Sequence, residues 1–131
     1  MKYLLDSHYL LWVVADTKKI SRKIMSIITN PENEIIISAI SFWEISLKSS
    51  LGKLTITGFV PEDLPDACLQ MGFMIEPLSA QEASSYHQLT ATYHKDPFDR
   101  MLIWQAMYNG YTLISADENV QKYISEGLKC I

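Results

Sequence analysis

Cysteine is scarce: Cys68 and Cys130 are the only two in 131 residues, and neither sits in a Cys-x-x-Cys or Cys/His spacing. A disulfide framework and a thiolate metal site have nothing to build on, and the pair reads as two unpaired thiols of a cytosolic protein. Long apolar runs are missing too, since no segment approaches the roughly 18 residues of a membrane span. The stretch from Lys2 to Ala15 imitates a signal peptide only until Asp6 and His8 interrupt it. The expectation is a soluble, cytoplasmic chain with no membrane contact. Positive charge is also in deficit: 11 Lys and Arg face 15 Asp and Glu, a net charge of −4. Bulk electrostatics therefore does not attract a nucleic acid, and an RNA or DNA substrate would need a local basic patch, metal ions, or both. No composition break, internal repeat or low-complexity run divides the chain. With 48% hydrophobic residues, one domain over residues 1–131 with a substantial core is expected.

What is present alternates between short β-branched runs and helical periodicities. Tyr3-Leu4-Leu5 predicts a buried strand delivering Asp6 at its end, with a helix over Tyr9 to Val14. Lys18 to Ile28 carries Ile20, Ile24, Ile27 and Ile28 at helical spacing, with Lys18, Lys19, Arg22 and Lys23 opposite, and predicts an amphipathic helix. Glu34 to Ser38 is apolar on both faces, as strands of covered parallel sheets are. Ser41-Phe42-Trp43-Glu44 has the form of a capping box opening a helix through Lys48 to Leu51. A third strand is expected at Phe73 to Glu76, a helix from Ala80 to about Tyr93, a fourth strand at Thr112 to Ser115, a helix from Glu118 to Ser125, and a short last strand at Leu128 to Ile131. Strands alternating with helices imply an α/β fold with a mostly parallel central sheet flanked by helices.

The segment His94-Lys95-Asp96-Pro97-Phe98-Asp99-Arg100 places an acid where burial alone would place a hydrophobe. Pro97 suits the first position of a helix, which makes Asp96 its N-cap and puts Asp99 in its first turn. That helix runs to about Asn109, with Gly110 at its C-terminal cap. Asp99 then shares a face with Leu102, Ile103 and Ala106. Acids in a first turn also complement the helix dipole, so this segment alone is compatible with a purely structural role.

Ligands of open parallel sheets bind beyond the carboxyl ends of the strands. Asp6 and Asp117 fall there, and Glu44 opens the helix after a strand. If the Asp99 helix starts at the same edge, four carboxylates meet in one cleft. Two carboxylates about 5 Å apart repel by roughly 3 kcal/mol at an effective dielectric near 20. A cluster of four must take up protons, find basic partners, or bind a cation, and Lys48, Arg100 and His94 are the only basic neighbours in sight. Oxygen-only ligands with open positions suit Mg²⁺ or Mn²⁺, which can activate water and stabilise a phosphodiester in transfer.

Four segments in order, Tyr3-Leu4-Leu5-Asp6-Ser7-His8, Ser41-Phe42-Trp43-Glu44-Ile45 continuing to Leu51-Gly52-Lys53-Leu54, His94 to Arg100, and Thr112-Leu113-Ile114-Ser115-Ala116-Asp117, give the chain an end-to-end likeness to one family. It resembles a PIN-domain ribonuclease of the VapC toxin type. The resemblance implies a three-layer PIN-like domain with a five-stranded parallel sheet, a homodimer, RNA as substrate, and a small antitoxin as partner. It carries the family's catalytic, metal-binding acids over to Asp6, Glu44, Asp99 and Asp117, and a supporting hydroxyl to Ser7, where the family more often has Thr. The implied activity is a Mg²⁺- or Mn²⁺-dependent endoribonuclease, its metal held mainly by Asp6 and Asp99, with Glu44 and Asp117 shaping the site directly or through water.

Each of these residues also has a plainer reading. Asp6 suits a turn, Asp117 a helix cap, and Glu44 both a capping box and an i,i+4 pair with Lys48. Asp96 is a cap that could also support the metal ligands. Arg100 matches phosphate geometry, but equally fits an exposed side chain or an ion pair. His94 could shuttle protons or simply be an exposed loop histidine. Trp12, Trp43 and Trp104 fit a core or an interface better than base stacking. Two other function classes stay in view: a protein-binding module that keeps the fold without turnover, and a phosphatase working through an aspartyl-phosphate. The second is disfavoured because Asp6-Ser7-His8 lacks the second acid of an Asp-x-Asp nucleophile motif.

Overall fold

The computed structural model describes residues 1–131. Its elements run β1 (Lys2–Leu5), α1 (Ser7–Ala15), α2 (Arg22–Thr29), β2 (Glu34–Ser38), α3 (Ala39–Ser50), α4 (Leu64–Gln70), β3 (Met74–Glu76), α5 (Ala80–Ser85), α6 (Pro97–Asn109), β4 (Thr112–Ile114), α7 (Glu118–Gln121) and β5 (Lys129–Cys130). The five strands form one sheet in the order β3-β2-β1-β4-β5, every neighbour parallel. Helices cover both faces, giving three layers.

Side chains alternate across a strand, so each strand feeds two cores. Leu5, Ile35, Ile37 and Ile114 pack on one face with Tyr9 and Leu10 of α1, Ile24 and Ile28 of α2, and Leu64 and Cys68 of α4. Leu4, Ile36 and Leu113 pack on the other with Leu102, Ile103 and Ala106 of α6, Val120 of α7, and Tyr123. Full burial of one such aliphatic side chain contributes roughly 1.5–3 kcal/mol. Both faces of the sheet are thus committed to packing, and chemistry is left to the strand ends. No helix is long and apolar enough to cross a membrane.

From β1 the chain moves outward to β2 and β3, then returns to add β4 on the other side of β1. The two directions part between β1 and β4, the place where such sheets open a crevice at their carboxyl ends. Asp6 directly follows β1, and Asp117 lies just beyond β4.

Several boundaries differ from the sequence expectation. The helix foreseen over Lys18 to Ile28 is two pieces, a tight turn at Thr17–Lys19 and α2, because Ser21 caps α2 by accepting from the Ile24 N–H (3.2 Å). The capping box at Ser41 and Glu44 does not exist. Helix α3 begins at Ala39, straight out of β2, with Ser38 as its cap accepting from the Ile40 N–H (3.1 Å). Ser41 and Glu44 consequently lie inside the helix, both buried. Helix α5 does start at Ser79 with a true capping box to Glu82, but it ends at Ser85, and a tight turn at Tyr86–Gln88 sends Leu89 into the core. Helix α7 is likewise short and continues as tight turns over Lys122–Glu126. The last strand narrows to Lys129–Cys130.

Candidate metal centre

The centre is assembled from helix starts and strand ends. Asp6 leaves β1 and caps α1, its Oδ1 accepting from the Tyr9 N–H (2.8 Å). Asp96 caps α6, its Oδ1 accepting from the N–H groups of Phe98 (2.8 Å) and Asp99 (3.1 Å), with Pro97 in the first position where a missing N–H costs nothing. Asp117 caps α7, accepting from the Asn119 N–H (2.7 Å). Three helix N-termini therefore converge on one acidic pocket, and their dipoles offset part of its negative charge.

Glu44 is the exception, held in mid-helix and buried. Its Oε1 accepts from the hydroxyl of Ser7 (2.6 Å), and its other oxygen pairs with the Lys48 ammonium one turn along α3. The Ser41 hydroxyl lies 3.0 Å from that of Ser7, extending the chain of hydroxyls beneath the carboxylate. Ser7 thus fixes Glu44 and does not face open solvent.

Oxygens of Glu44, Asp96 and Asp99 lie within 4.8 Å of one another, and so do ligand atoms of His94, Asp99 and Asp117. Asp99 belongs to both groups. Asp6 belongs to neither, yet it is close enough for its charge to bear on Asp99, as the charge of Glu44 bears on Asp6. The same Asp6 lines a small recess with His8, Trp12 and Asp117.

The electrostatics follow from this crowding. Burial first, then repulsion from Asp96, Glu44 and Asp6, raises the Asp99 carboxyl to about 6, against the opposing pull of His94. Burial also raises Asp6, although the Tyr9 N–H and the Ser115 hydroxyl favour its charged form. Asp117 goes the other way: burial opposes ionisation, but the Asn119 N–H and His94 outweigh it and lower the carboxyl. Lys48 is held above its ordinary value because the hydrogen bond and charge of Glu44 overcome its partial burial. Burial and the crowding of like charges thus disfavour the bare anions of Asp6 and Asp99, a cost that a bound cation would offset. The Glu44, Asp96 and Asp99 group is all oxygen, the donor chemistry that suits a hard divalent ion.

Two residues stand differently from expectation. Arg100 does not present its guanidinium to the centre. It points into the Leu89–His94 loop, with Nε donating to the Tyr86 hydroxyl (2.7 Å) and the terminal nitrogens to the carbonyls of Leu89 (2.7 Å), Ala91 (2.7 Å) and His94 (3.2 Å) and to the Tyr123 hydroxyl (2.9 Å). Each of its three nitrogens donates within or beside this loop and none to an acid, so the side chain is the strut of that loop. His94 is the residue the sequence undervalued. Only 12% of its side chain is exposed, and its Nε2 lies 2.9 Å from Asp99 Oδ2 and 3.0 Å from Asp117 Oδ2, while its Nδ1 accepts from the Asp96 N–H (3.1 Å). Its place two residues before a helix cap was the available signal, because that turn folds the ring back over the helix start. Trp43, 60% exposed, stands edge-on to Phe98 (5.1 Å) next to the centre. Trp104 is bonded to the Glu82 carbonyl and Ser85, and Trp12 packs on Tyr9.

The PIN domain family profile matches residues 3–125. No curated protein matches the chain. Among solved structures, VapBC2 from Rickettsia felis, bound to a DNA fragment from its promoter, superposes with a TM-score of 0.72 at 17% identity, covering 100% of this chain and 98% of that one. DNA-bound VapBC from Salmonella typhimurium follows at 0.68 and 16% identity, covering 100% and 97%. FitAcB from Neisseria gonorrhoeae gives 0.67 at 17% identity, covering 98% and 96%. At these identities the likeness is one of fold.

Proposed function

The chain belongs to the PIN domain family, and from that premise we propose that it is a Mg²⁺- or Mn²⁺-dependent endoribonuclease, the toxin of a toxin–antitoxin pair. The observation that carries the reading is Asp99, a carboxylate shared between two groups of potential ligands and surrounded by further acids at the switch point of the sheet. Support for a small protein partner comes from the likeness to VapBC and FitAcB, and support for the activity from the VapC-like segments of the sequence.

Asp6 and Asp99 are the principal residues to hold the ion, with Glu44 and Asp117 shaping the site directly or through water. The ion, when bound, supplies Lewis acidity toward a phosphodiester and makes a water nucleophilic near neutral pH. The chain's own residues prepare that site. The Tyr9 N–H fixes Asp6, and Ser7 and Lys48 fix Glu44. Lys48, at the rim of the acids and 34% exposed, supplies positive charge on the side where an RNA phosphate would approach. A homodimer belongs to this reading as well, and the apolar recess of Ile40, Trp43, Leu78, Phe98 and Met101 beside the centre offers surface for it.

The test is cleavage of RNA by purified protein with Mg²⁺, with Mn²⁺ and with EDTA, beside Asp99→Asn. Metal-dependent cleavage that Asp99→Asn abolishes is expected. Absence of metal-dependent cleavage, or an Asp99→Asn protein that cuts as fast as the parent, defeats the proposal. Co-expression with the product of a small adjacent reading frame tests the partner, and sedimentation tests the dimer.

A further inference from the structure

His94 occupies the space between two of the acids, and its tautomer is dictated. A backbone N–H can only donate, so the Asp96 N–H, 3.1 Å from Nδ1, requires an unprotonated Nδ1 and leaves the ring proton on Nε2. Nε2 is then a donor. It sits 2.9 Å from Asp99 Oδ2 and 3.0 Å from Asp117 Oδ2, so one N–H is shared between two carboxylates. An N–H nitrogen has no lone pair to offer a metal. Moving the proton to Nδ1 would free Nε2 but set two donors, the Asp96 N–H and the ring N–H, against each other.

The two groups of potential ligands are therefore unlike. In the first, oxygens of Glu44, Asp96 and Asp99 lie within 4.8 Å of one another with no side chain of another kind in the group. In the second, the point between Asp99 and Asp117 is filled by the imidazole ring, held by the backbone of Asp96 and by the loop that Arg100 grips through the His94 carbonyl. A second divalent ion bridging Asp99 and Asp117 would have to approach oxygens at 2.0–2.6 Å, the contact distances of such ions, through the ring. We infer that His94 is a positioning residue that blocks a second cation, so that the centre takes one divalent ion and Asp117 acts on it through His94. This rests on the metal-dependent reading above and states what that reading leaves open, the number of ions and the place of Asp117.

The experiment is Mn²⁺ binding followed by calorimetry and by electron paramagnetic resonance on the intact chain, in wild type, His94→Ala and Asp117→Asn. One ion per chain is expected for wild type, two for His94→Ala with a spin-coupled signal from neighbouring ions, and one for Asp117→Asn with less than a threefold change in affinity. Two ions in wild type, one ion in a folded His94→Ala, or loss of binding in Asp117→Asn overturns the inference while leaving a metal-dependent enzyme intact. No Mn²⁺ binding by wild type overturns both. Should His94→Ala not fold, nitrogen-15 spectra of the wild-type imidazole decide the matter. Retention of the Nε2–H tautomer at saturating Mg²⁺ is expected, and a ring that loses that proton to the metal overturns the inference.

Discussion

Glu44 and Lys48 form an ion pair one turn apart on α3, and Lys48 is the only lysine or arginine in ion-pair contact with the acidic centre. The carboxylate is buried and the ammonium is 34% exposed, so removing the lysine strands a charge inside while losing little solvation outside. Lys48→Met is expected to destabilise the metal-free protein by about 1–2 kcal/mol, less than the loss for a fully buried pair. Saturating Mg²⁺ should recover part of that loss. Urea unfolding with and without Mg²⁺ measures both, and equal stabilities of the two proteins in EDTA would refute the expectation.

Asp96 and Asp99 are three residues apart and should fail in different ways. Asp96→Ala removes the side-chain cap of α6 and is expected to cost about 1 kcal/mol, whereas Asp96→Ser keeps a cap and should cost only a few tenths. Asp99→Asn leaves the cap untouched, should not lower the melting temperature in EDTA, and is expected to lower the cleavage rate about a hundredfold or more. Melting curves and initial rates on the three variants check the division.

Stability of the metal-free protein should fall as pH rises through the range where Asp99 titrates. Its carboxyl is raised in the folded state to about 6, so folding favours the protonated form. The stabilisation is complete below the unfolded value near 4 and lost as pH passes about 6. Asp6, also raised, adds to the same trend, while Asp117, lowered, contributes stability that is lost only on acidification. The difference between Asp99→Asn and wild type isolates the effect: the variant should gain on wild type between pH 4 and 7 in EDTA. Mg²⁺ binding near pH 6 should release protons, measurable by calorimetry in buffers of different ionisation enthalpy. A pH-independent difference would contradict the assignment.

Arg100 should matter to the fold and not to substrate charge. Its guanidinium satisfies the carbonyls of Leu89, Ala91 and His94 at once. A lysine has no planar fork for that task, so Arg100→Lys is expected to destabilise by about 2–4 kcal/mol. In Arg100→Gln, which removes the charge, the salt dependence of RNA binding by the folded fraction should stay that of wild type. A stable Arg100→Gln protein with a shallower salt slope would return the residue to phosphate binding.

The parallel sheet was legible because Tyr3-Leu4-Leu5, Ile35-Ile36-Ile37 and Leu113-Ile114 are apolar on both faces, a pattern that only a covered strand tolerates. Asp96, Pro97 and Gly110 announced α6 to the residue, because cap, fixed φ and left-handed exit (φ 72°) are local requirements. The start of α3 was misread for the same local reason. Ser38 and Ser41 are both competent caps, and only the end of β2 decides between them. The roles of Arg100 and His94 stayed open among alternatives for a different cause: each depends on carbonyls or carboxylates brought near by the tertiary fold, and for His94 only its place before the helix cap gave a local signal. Reading strand ends as one edge led to the expectation that Asp6, Glu44, Asp99 and Asp117 meet; the sharing of Asp99 between one group with Asp96 and another with His94 was not part of it.

Strand β1 is the first of the five in the chain, and it is flanked on both sides only once β4 is in place. It lies in the middle of the sheet, and Leu5 finds its partner Ile114 only after most of the chain exists. Asp6 therefore waits beside an open sheet edge until β4 docks, and Asp117 arrives with that strand. A chain that ends before β4 carries Asp6 without Asp117 beside it. Long-range strand pairing, ordinarily a handicap to folding speed, therefore sets the moment at which Asp6 and Asp117 come onto one sheet edge.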